Sequence, residues 1–350
     1  MDPDRSHREM THSNSAKRDQ YDMQFAACKD QHTLQGDTMV AMTDRATIID
    51  GLALANVYRE QIAARVKAVV AKAGQVRLDA VLVESGDNAA RVYAENQSKT
   101  CARLGIEYRL HRIQAPEGHL PTFDDIAGRV LLLSSDDEVT AIMLHLPLPP
   151  GVDPYRIQRL IAPDKDVEGV NPANIGNIVY GRSSLAPCTA LAVVKMVEHV
   201  LGAPQDGVHQ PLLRGKIAVV VGAGDVVGKP IAVLLMRHEA TVVSCNKFTP
   251  ALAEVARSAD VLIAAAGVPG LVTAEMVKPG AIVIDVGVNR VKGPDGKTRT
   301  VGDVVFDGAK RLASAISPVP GGVGPMTVSM LLQNVVEAAE RRFGRSHSSV

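Results

Sequence analysis

Short runs of apolar, β-branched residues alternate along most of the chain with stretches whose apolar residues recur at helical spacing. The clearest run is Ile217–Val221, which is typical of a strand buried on both faces. Three more runs follow it, separated by helical stretches: Thr241–Ser244, Val261–Ala265 and Ala281–Val286. Strands that alternate with helices predict a parallel, doubly wound sheet in this half of the chain.

The first half of the chain shows the same alternation. Leu54–Ala73 carries its apolar residues on one helical face, and further helices are predicted up to Leu104 and at Phe123–Ser134. Strands are predicted at Asp79–Val83, Ile106–Leu110 and Ala141–Leu144. The sequence therefore predicts an α/β fold with a second α/β domain that runs to about Gly181.

Three segments depart from this alternation. Pro163–Asn177 is polar and contains glycine, so we predict a loop beyond the carboxyl ends of strands, where open α/β sheets place ligands. Ser317–Thr327 is a second such loop, followed by a final helix at Val328–Arg342. Met1–Thr38 has no apolar periodicity, so residues 1–41 are expected to form a disordered, dispensable extension, with the fold beginning near Met42.

Composition narrows the class of protein. The 38 Lys and Arg residues balance 38 Asp and Glu residues, which argues against nucleic acid or an anionic membrane as the main partner. No apolar run reaches transmembrane length, and no signal-peptide pattern begins the chain. The four cysteines are too scattered for a metal site or a disulfide framework, so we expect reduced thiols, no bound metal and a cytoplasmic protein.

A glycine-rich turn follows the run at Ile217–Val221. Gly222, Gly224 and Gly228 have GxGxxxG spacing and precede a predicted helix at Pro230–Arg237. A strand, a glycine turn and a helix N-terminus can bind the pyrophosphate of a dinucleotide, although a plain buried turn has the same pattern. The alternation of strands and helices that follows favours the dinucleotide site.

Several further motifs, in this order, resemble the bifunctional methylenetetrahydrofolate dehydrogenase/methenyltetrahydrofolate cyclohydrolase family of the FolD type. The match runs from about Ile48 to Ala339. Its most specific pieces are LHLPLP (Leu144–Pro149), PDKDVEGVNPANIG (Pro163–Gly176), PCTA (Pro187–Ala190), VVGKP (Val226–Pro230), KPGAIVIDVGVNR (Lys278–Arg290) and PVPGGVGPMT (Pro318–Thr327).

The resemblance implies two domains that flank a cleft for the folate, with the nicotinamide at its mouth and the last helix packed back on the first domain. We therefore expect an N-terminal folate-binding catalytic domain of residues 42–186 plus 318–343. The Rossmann-like NAD(P)-binding domain is expected at residues 187–317. The resemblance also implies a homodimer.

Four family roles fall on the folate side of the cleft. In the family a tyrosine stacks on the substrate, a lysine one turn later transfers protons, a glutamine assists the lysine, and an aspartate anchors the pterin. The resemblance places these roles at Tyr93, Gln97, His145 and Glu168, so three of the four positions carry a different residue. It implies that the substrate contacts Tyr93, Leu144, His145, Leu146, Glu168, Pro320, Gly321, Gly322, Gly324 and Pro325.

The cofactor side also departs from the family, which has an arginine and a serine where this chain has Ala223 and Gly224. Lys247 takes the place of a serine that contacts the 2′-phosphate, and no acidic residue follows the second strand. We therefore expect NADP, with NAD as the alternative. The residues implied in cofactor binding are Gly222, Ala223, Gly224, Val227, Gly228, Lys247 and Val288.

The substitutions bear on the two family reactions differently. Water activation needs a group that titrates, which a glutamine amide cannot do, whereas hydride transfer needs mainly orientation of the reactants. Lys99 lies roughly 240° around the helix from Tyr93 and cannot replace the missing lysine. His145 could act as a base, or could be a neutral residue that fills the space of the family glutamine.

The expected function is therefore a methylenetetrahydrofolate dehydrogenase, acting on a tetrahydrofolate derivative, whose cyclohydrolase activity is weak or lost. The main alternative is the fully bifunctional enzyme, which forms 10-formyltetrahydrofolate. A third possibility is a non-catalytic folate- or nucleotide-binding protein, against which the intact glycine turn, Tyr93 and the PGGVGP loop count. A fourth is a dehydrogenase for another one-carbon carrier.

Overall fold

The computed structural model describes residues 46–84, 88–115, 119–182, 185–202, 211–293 and 296–345. The prediction for residues 1–41 and for a start near Met42 lies outside these ranges. In chain order the elements are β1 (Thr47–Ile48), α1 (Gly51–Ala73), β2 (Arg77–Val83), α2 (Asn88–Leu104), β3 (Glu107–Ile113), α3 (Phe123–Ser135), β4 (Ala141–Leu144), α4 (Pro154–Gln158), α5 (Pro172–Val179), α6 (Cys188–Val200), β5 (Ile217–Val221), α7 (Gly228–Arg237), β6 (Thr241–Cys245), α8 (Leu252–Arg257), β7 (Val261–Ala264), β8 (Ile282–Asp285), β9 (Asn289–Lys292), β10 (Thr298–Val301), α9 (Phe306–Lys310), β11 (Ala315–Ile316) and α10 (Val323–Arg345).

The larger sheet has six parallel strands in the order β1-β11-β8-β7-β5-β6. Its central strands are fully buried and rich in Val, Ile and Leu, as strands covered on both faces require. The ends of four strands lie side by side, because Val221 pairs with Cys245 and Ala264, and Ala264 pairs with Asp285. This row places the loops that follow β5, β6, β7 and β8 along one edge of the sheet.

The smaller sheet has three parallel strands in the order β3-β2-β4. Strand β2 begins two residues before the predicted Asp79 because Arg77 is neutralised inside the fold. The Arg77 guanidinium donates to Asp79 Oδ2 and Oδ1 at 2.6 and 2.8 Å, and His111 Nε2 lies 2.7 Å from Asp79 Oδ1. Both residues of this ion pair are buried, so the strand accommodates a charged pair between apolar neighbours.

The two ends of the described chain reach across the predicted domain boundary. Strand β1 pairs with β11 at the edge of the larger sheet, although residues 42–186 were assigned to the other domain. Helix α10 packs along α1, and the backbone of Gly322 comes so close to Gly51 that a Cβ there would overlap it. A single apolar core therefore links the two sheets, with members from Leu54 to Ile284 and Met326.

Two further predicted boundaries are wrong, and one hairpin was not predicted. The final helix begins at Val323, five residues early, because Pro325 lies in the first helical turn, where its missing N–H is not needed. The predicted loop Pro163–Asn177 ends in a helix, because the Asn171 side chain accepts from the N–H of Ala173 at 2.8 Å and caps α5. The antiparallel hairpin β9–β10 was missed because its residues are mostly polar and exposed.

Candidate active site

Tyr93 lies where two cavities meet. A cavity of about 420 Å³ is bordered by the Pro318–Pro325 loop and by Asp285 and Val288 at the end of β8. A smaller one, of about 110 Å³, is lined by Met143 and Glu168, and also by Val226 from the glycine turn. Tyr93, Thr189 and Thr327 border both cavities. Residues predicted for the folate side and the dinucleotide side therefore meet around one tyrosine, which is 42% exposed.

Gln97 lies one helical turn below Tyr93 and is buried. Its Nε2 donates to the Sδ of Met143 at 3.1 Å, and Met143 in turn lines the smaller cavity. Its Oε1 is also buried and finds no hydrogen-bond partner among the described residues. The position to which the resemblance assigns the family lysine thus holds a neutral amide against a thioether.

His145 is another buried residue next to Tyr93. Its Nε2 lies 3.1 Å from the hydroxyl of Tyr108, and its ring meets the Tyr93 ring edge-on, with centroids 5.8 Å apart. Burial lowers the pKa of His145 to about 4, so the imidazole is neutral at physiological pH. Burial also raises the pKa of Tyr108, so its hydroxyl keeps its proton. We call Gln97, Met143, Tyr108 and His145 the cleft floor.

The loop that carries Glu168 is held by its two preceding charged residues. Lys165 Nζ donates to the carbonyl oxygens of Ser134 and Asp136 at 2.8 and 2.7 Å, which closes the C-terminal end of α3. The carboxylate of Asp166 accepts from the N–H of Asn171 at 2.7 Å. These bonds fix the loop beside β4 and direct the third charged residue, Glu168, toward the smaller cavity.

Glu168 accepts from the N–H of Leu144 at 3.2 Å. Burial raises its pKa to about 7, and the nearby Asp166 carboxylate acts in the same direction. Burial, together with Glu168, also raises the pKa of Tyr93 to about 12. Glu168 is therefore a cavity-lining carboxyl group that changes charge near neutral pH.

Cys188 is buried and packs beside the loop that carries Glu168. Its Sγ lies 3.2 Å from the carbonyl oxygen of Val167, and Asn334 Nδ2 donates to the same oxygen at 2.8 Å. Burial holds the thiol pKa well above its usual value, so the thiol stays protonated.

The glycine turn is shaped by close backbone packing. Gly222 has φ +112° and precedes helix α7, and a Cβ there would overlap the carbonyl oxygen of Ala265. A Cβ at Gly228 would overlap the carbonyl oxygen of Gly222, whereas Gly224 faces open space. Val227 lies immediately before α7, after Ala223 and Gly224 in the turn. The turn thus leaves room for a bound group at Gly224 and at the N-terminus of α7.

A short rigid turn follows β6. The N–H of Phe248 donates to Asn246 Oδ1, and the N–H of Asn246 donates to Thr249 Oγ1, both at 2.9 Å. Lys247 Nζ lies 5.0 Å from the centroid of the Phe248 ring. This turn adjoins the glycine turn, because the N–H of Gly222 donates to the carbonyl oxygen of Cys245 at 3.0 Å.

The remaining predicted contact residues fall into two groups, since Pro320–Pro325 line the larger cavity, whereas Leu144 and Leu146 line neither of the two cavities. Leu144 is buried at the end of β4, while Leu146 is half-exposed and precedes a cis peptide bond to Pro147. The bond between Val319 and Pro320 is also cis. The residues from Pro320 to Pro325, including Gly321, Gly322 and Gly324, line the larger cavity.

Two buried carboxylates brace the loops of the larger cavity, and the sequence analysis did not single them out. Asp285 accepts from the N–H groups of Gly287, Asp303 and Val304 at 2.9 to 3.0 Å. Asp303 accepts from the N–H groups of Ala266 and Gly267 at 2.7 and 2.8 Å. Burial raises the pKa of Asp285 to about 6. The sequence signal for Asp285 is an aspartate at the end of the buried strand IVID.

Tyr108 is the other residue that was missed. It lies on β3, where polar and apolar residues alternate, and only the fold brings it to His145.

Within the described ranges, no group of three or more His, Cys, Asp or Glu side chains could hold a metal ion. No helix in the same ranges has the length and apolar character needed to cross a membrane.

Family models for the tetrahydrofolate dehydrogenase/cyclohydrolase catalytic domain and NAD(P)-binding domain match residues 49–168 and 187–343. The bifunctional protein FolD of Bordetella petrii is 44% identical over 299 residues, covering 85% of this chain and 96% of the relative. The crystal structure of Campylobacter jejuni FolD is 35% identical, with a TM-score of 0.76 over 85% of this chain and 99% of that one. Trypanosoma brucei FolD, complexed with NADP and an inhibitor, is 34% identical, with a TM-score of 0.74 over 87% and 99%. These likenesses confirm the resemblance and the two-domain α/β fold, and the chain belongs to the tetrahydrofolate dehydrogenase/cyclohydrolase family.

Proposed function

We propose that this protein oxidises 5,10-methylenetetrahydrofolate to 5,10-methenyltetrahydrofolate with NADP, and that its cyclohydrolase activity is weak or absent. The observation that carries the second half of the proposal is the cleft floor. Gln97 is a buried amide against Met143, and burial keeps His145 neutral. The first half rests on family membership and on a cavity shared by Tyr93, Glu168 and the glycine turn.

The dehydrogenase reaction needs no proton transfer at the folate. A hydride leaves the methylene carbon, and the electron pair of a neighbouring nitrogen completes the methenyl product. When bound, the nicotinamide accepts this hydride. The part of the chain is to hold the reactants in contact. Tyr93 offers its ring to the pterin-bearing substrate, and Glu168 accepts hydrogen bonds from the pterin N–H groups.

The glycine turn fits a dinucleotide. Gly222 and Gly228 admit backbone where any side chain would collide, and Gly224 leaves space beside the N-terminus of α7. The absence of a carboxylate after β6, at Asn246 and Lys247, removes the usual partner of a free 2′-hydroxyl. Lys247 supplies a positive charge for a 2′-phosphate instead. NADP is therefore the proposed cofactor, and the NADP complex of the Trypanosoma brucei relative supports this choice.

The cyclohydrolase reaction makes a different demand. Water must be activated and protons moved, which requires a group whose pKa lies near the working pH. Gln97 does not titrate, and a pKa of about 4 leaves His145 a weak base at neutral pH. The Tyr108 hydroxyl keeps its proton because burial raises its pKa. The cleft floor thus preserves the shape of the site without its proton-transferring lysine.

One observation favours the fully bifunctional enzyme. Glu168 lines the smaller cavity and has a pKa of about 7, which suits a general base. Hydrolysis through Glu168 would give a rate that rises through pH 7 and is lost in Glu168→Gln. Hydrolysis through His145 would be lost in His145→Gln, which should spare hydride transfer.

A two-wavelength assay tests the proposal. Reduced nicotinamide and methenyltetrahydrofolate are followed separately after methylenetetrahydrofolate is added with NADP or NAD. We expect both signals to rise together with NADP, because methenyl product accumulates. If methenyltetrahydrofolate is hydrolysed as fast as it forms, only reduced nicotinamide will rise, and the bifunctional alternative is favoured. If neither cofactor is reduced, the dehydrogenase is refuted.

The protein is further proposed to be a cytoplasmic homodimer. The family resemblance supports the dimer, and β3 offers an uncovered sheet edge, since it pairs only with β2 within the described sheet. Buried free thiols at Cys101, Cys188 and Cys245 suit a reducing compartment. Light scattering tests the assembly, because a mass of 37.1 kDa would mean a single chain.

A further inference from the structure

Val288 is an apolar side chain that lies 69% exposed at the larger cavity, between two residues that are bound to buried carboxylates. On one side of it, the N–H of Gly287 donates to Asp285 Oδ1 at 2.9 Å. On the other side, Asn289 Nδ2 donates to Asp303 Oδ1, also at 2.9 Å. The two carboxylates therefore hold the chain on both sides of a residue that the resemblance assigns to the cofactor.

Asp303 also holds the loop that follows β7. Its second oxygen, Oδ2, accepts from the N–H groups of Ala266 and Gly267 at 2.7 and 2.8 Å. The residue before them, Ala265, packs on the glycine turn, because a Cβ at Gly222 would overlap its carbonyl oxygen. Asp303 thus connects the loop that borders the glycine turn with the segment that lines the larger cavity.

The chain fits closely around the two carboxylates. A Cβ at Gly287 would overlap Asp303 Oδ1, and a Cβ at Gly302 would overlap Asp285 Oδ2. Both carboxylates are buried, and neither contacts a Lys, Arg or His side chain within the described part of the chain. A buried carboxylate without a cation requires well-placed N–H groups to compensate for its lost hydration, and each of these bonds fixes a loop.

Hydride transfer depends strongly on the relative position of its reactants. A displacement of about 1 Å can lower the rate by about 10²-fold. The proposed dehydrogenase must therefore hold the nicotinamide at a fixed distance from the folate beside Tyr93, which borders the same cavity as Val288. Bonds that join the loops of this cavity bear directly on that distance.

We propose that Asp303 is a positioning residue, which holds Val288 and the loop after β7 in place for the nicotinamide end of the dinucleotide. This inference rests on the proposed function and names a residue that sets the geometry of hydride transfer. Asp303 is not a catalytic residue, because it is buried and its carboxylate contacts only other parts of the protein. Its loss should slow the reaction of bound ligands more than it weakens their binding.

Steady-state kinetics of the full-length chain tests this role. Asp303→Ala should lower kcat of the dehydrogenase by about 100-fold and leave both KM values within about threefold. Asp303→Asn should keep kcat within about threefold, because its Oδ1 can accept from the same two N–H groups while its Nδ2 donates to a reversed Asn289 amide. Asn289→Ala should lower kcat by about tenfold, and it carries the test if Asp303→Ala does not fold.

Asp79→Asn is the matched control, because Asp79 is equally buried but lies in the smaller sheet. It should lower the melting temperature without lowering kcat, since it breaks the buried ion pair with Arg77. If Asp303→Ala and Asn289→Ala lower the melting temperature but keep kcat within about twofold of wild type, Asp303 is only a structural residue and the inference is wrong. A rise in KM with an unchanged kcat would also contradict it.

Fluorescence anisotropy of bound NADPH gives a readout that does not depend on turnover. At saturation, the reduced nicotinamide should rotate more freely in Asp303→Ala or Asn289→Ala than in wild-type protein, so its anisotropy should fall toward that of free NADPH. If these variants lower the anisotropy but wild-type protein oxidises no methylenetetrahydrofolate, the proposed function is refuted and this inference stands. Equal anisotropy in wild-type and variant proteins, or no binding of NADPH by wild-type protein, would overturn the inference.

Discussion

The glycine turn and the cleft floor face the same cleft, but different interactions fix their structures. At the turn, Gly222 and Gly228 are fixed by the backbone itself, because any Cβ would overlap a carbonyl oxygen. At the floor, Gln97 donates to the Met143 thioether, and His145 shares a hydrogen bond with the Tyr108 hydroxyl, so side-chain contacts fix the site. The turn therefore depends on backbone packing, whereas the floor depends on the identity of its side chains.

The largest expected effect restores the missing chemistry. Gln97→Lys should recover part of the 10²–10⁴-fold that a general acid–base group typically contributes to hydrolysis of methenyltetrahydrofolate. Burial against Met143 should lower the pKa of the new lysine and bring it nearer to neutrality. Recovery should be incomplete, because His145 and Glu168 also differ from the family. The measurement is the rate of methenyltetrahydrofolate loss.

Asn96→Lys is the control for this experiment, since it places a lysine on the exposed face of the same helix. An equal gain from Asn96→Lys would point to a general charge effect. If wild-type protein already hydrolyses methenyltetrahydrofolate as fast as it forms it, the role assigned to Gln97 is wrong.

The second prediction tests the other region. Gly228→Ala should lower the free energy of unfolding by about 3 kcal/mol, because its Cβ would overlap backbone that cannot move aside. Gly224→Ala should leave the melting temperature within one degree or so, since nothing lies within 4 Å of the added carbon. Thermal unfolding of the two variants measures the difference. Equal stability would show that packing does not dictate the turn.

The third prediction concerns the carboxyl group at the boundary between the regions. Burial raises the pKa of Glu168 to about 7, so in the proposed role this group would accept hydrogen bonds from the pterin better as the pH rises. Folate affinity should therefore fall by up to about tenfold for each pH unit below 7, and Glu168→Gln should remove this dependence. Binding titrations between pH 5.5 and about 8.5 measure it. A profile unchanged by Glu168→Gln would contradict the assignment.

The same group has the opposite effect on stability. Burial raises the pKa of Glu168 in the folded state from its ordinary value of 4.5 to about 7, so the folded state binds more protons than the unfolded state between these two pH values. The contribution of Glu168 to stability is therefore full below about pH 4.5 and is lost as the pH rises through about 7. Chemical denaturation measures this effect. The free energy of unfolding of Glu168→Gln, relative to that of wild-type protein, should be higher at pH 8 than at pH 5.

The last prediction is that removal of the N-terminal segment has no measurable effect. Deletion of Met1–Thr38 should leave the melting temperature and the dehydrogenase rate unchanged, because the segment has no apolar face to bury. A drop of several degrees would show that the segment packs on one of the two regions.

The elements with strong apolar periodicity could be predicted from the sequence. Strands β4 and β5 have the predicted bounds, because Ala141–Leu144 and Ile217–Val221 are buried on both faces and contain no competing signal. The start of α10 could not be predicted from the sequence, because Gly324 and Pro325 favour a loop when only neighbouring residues are considered. Tertiary packing of the helix against α1 decides that boundary.

The candidate site was only partly predictable, for a related reason. Motif spacing locates Tyr93 and Glu168, and the structure brings both to one cavity. Tyr108 lies on a strand far from these motifs, and its hydrogen bond to His145 exists only once β3 and β4 flank β2. The pKa values of His145 and Glu168 follow from burial, which no local pattern supplies.

The pairing of β1 with β11, and of α1 with α10, has a consequence for biosynthesis. Helix α1 leaves the ribosome before the segment that covers its apolar face, Val323–Arg345, has been made. The nascent chain must carry that face uncovered while some 250 residues are added, a period of roughly 10–50 s at about 5–20 residues per second. The packing of α1 on α10 is thus completed only after this interval, and a ribosome that stalls before Val323 would expose an unfinished core to the chaperones around it.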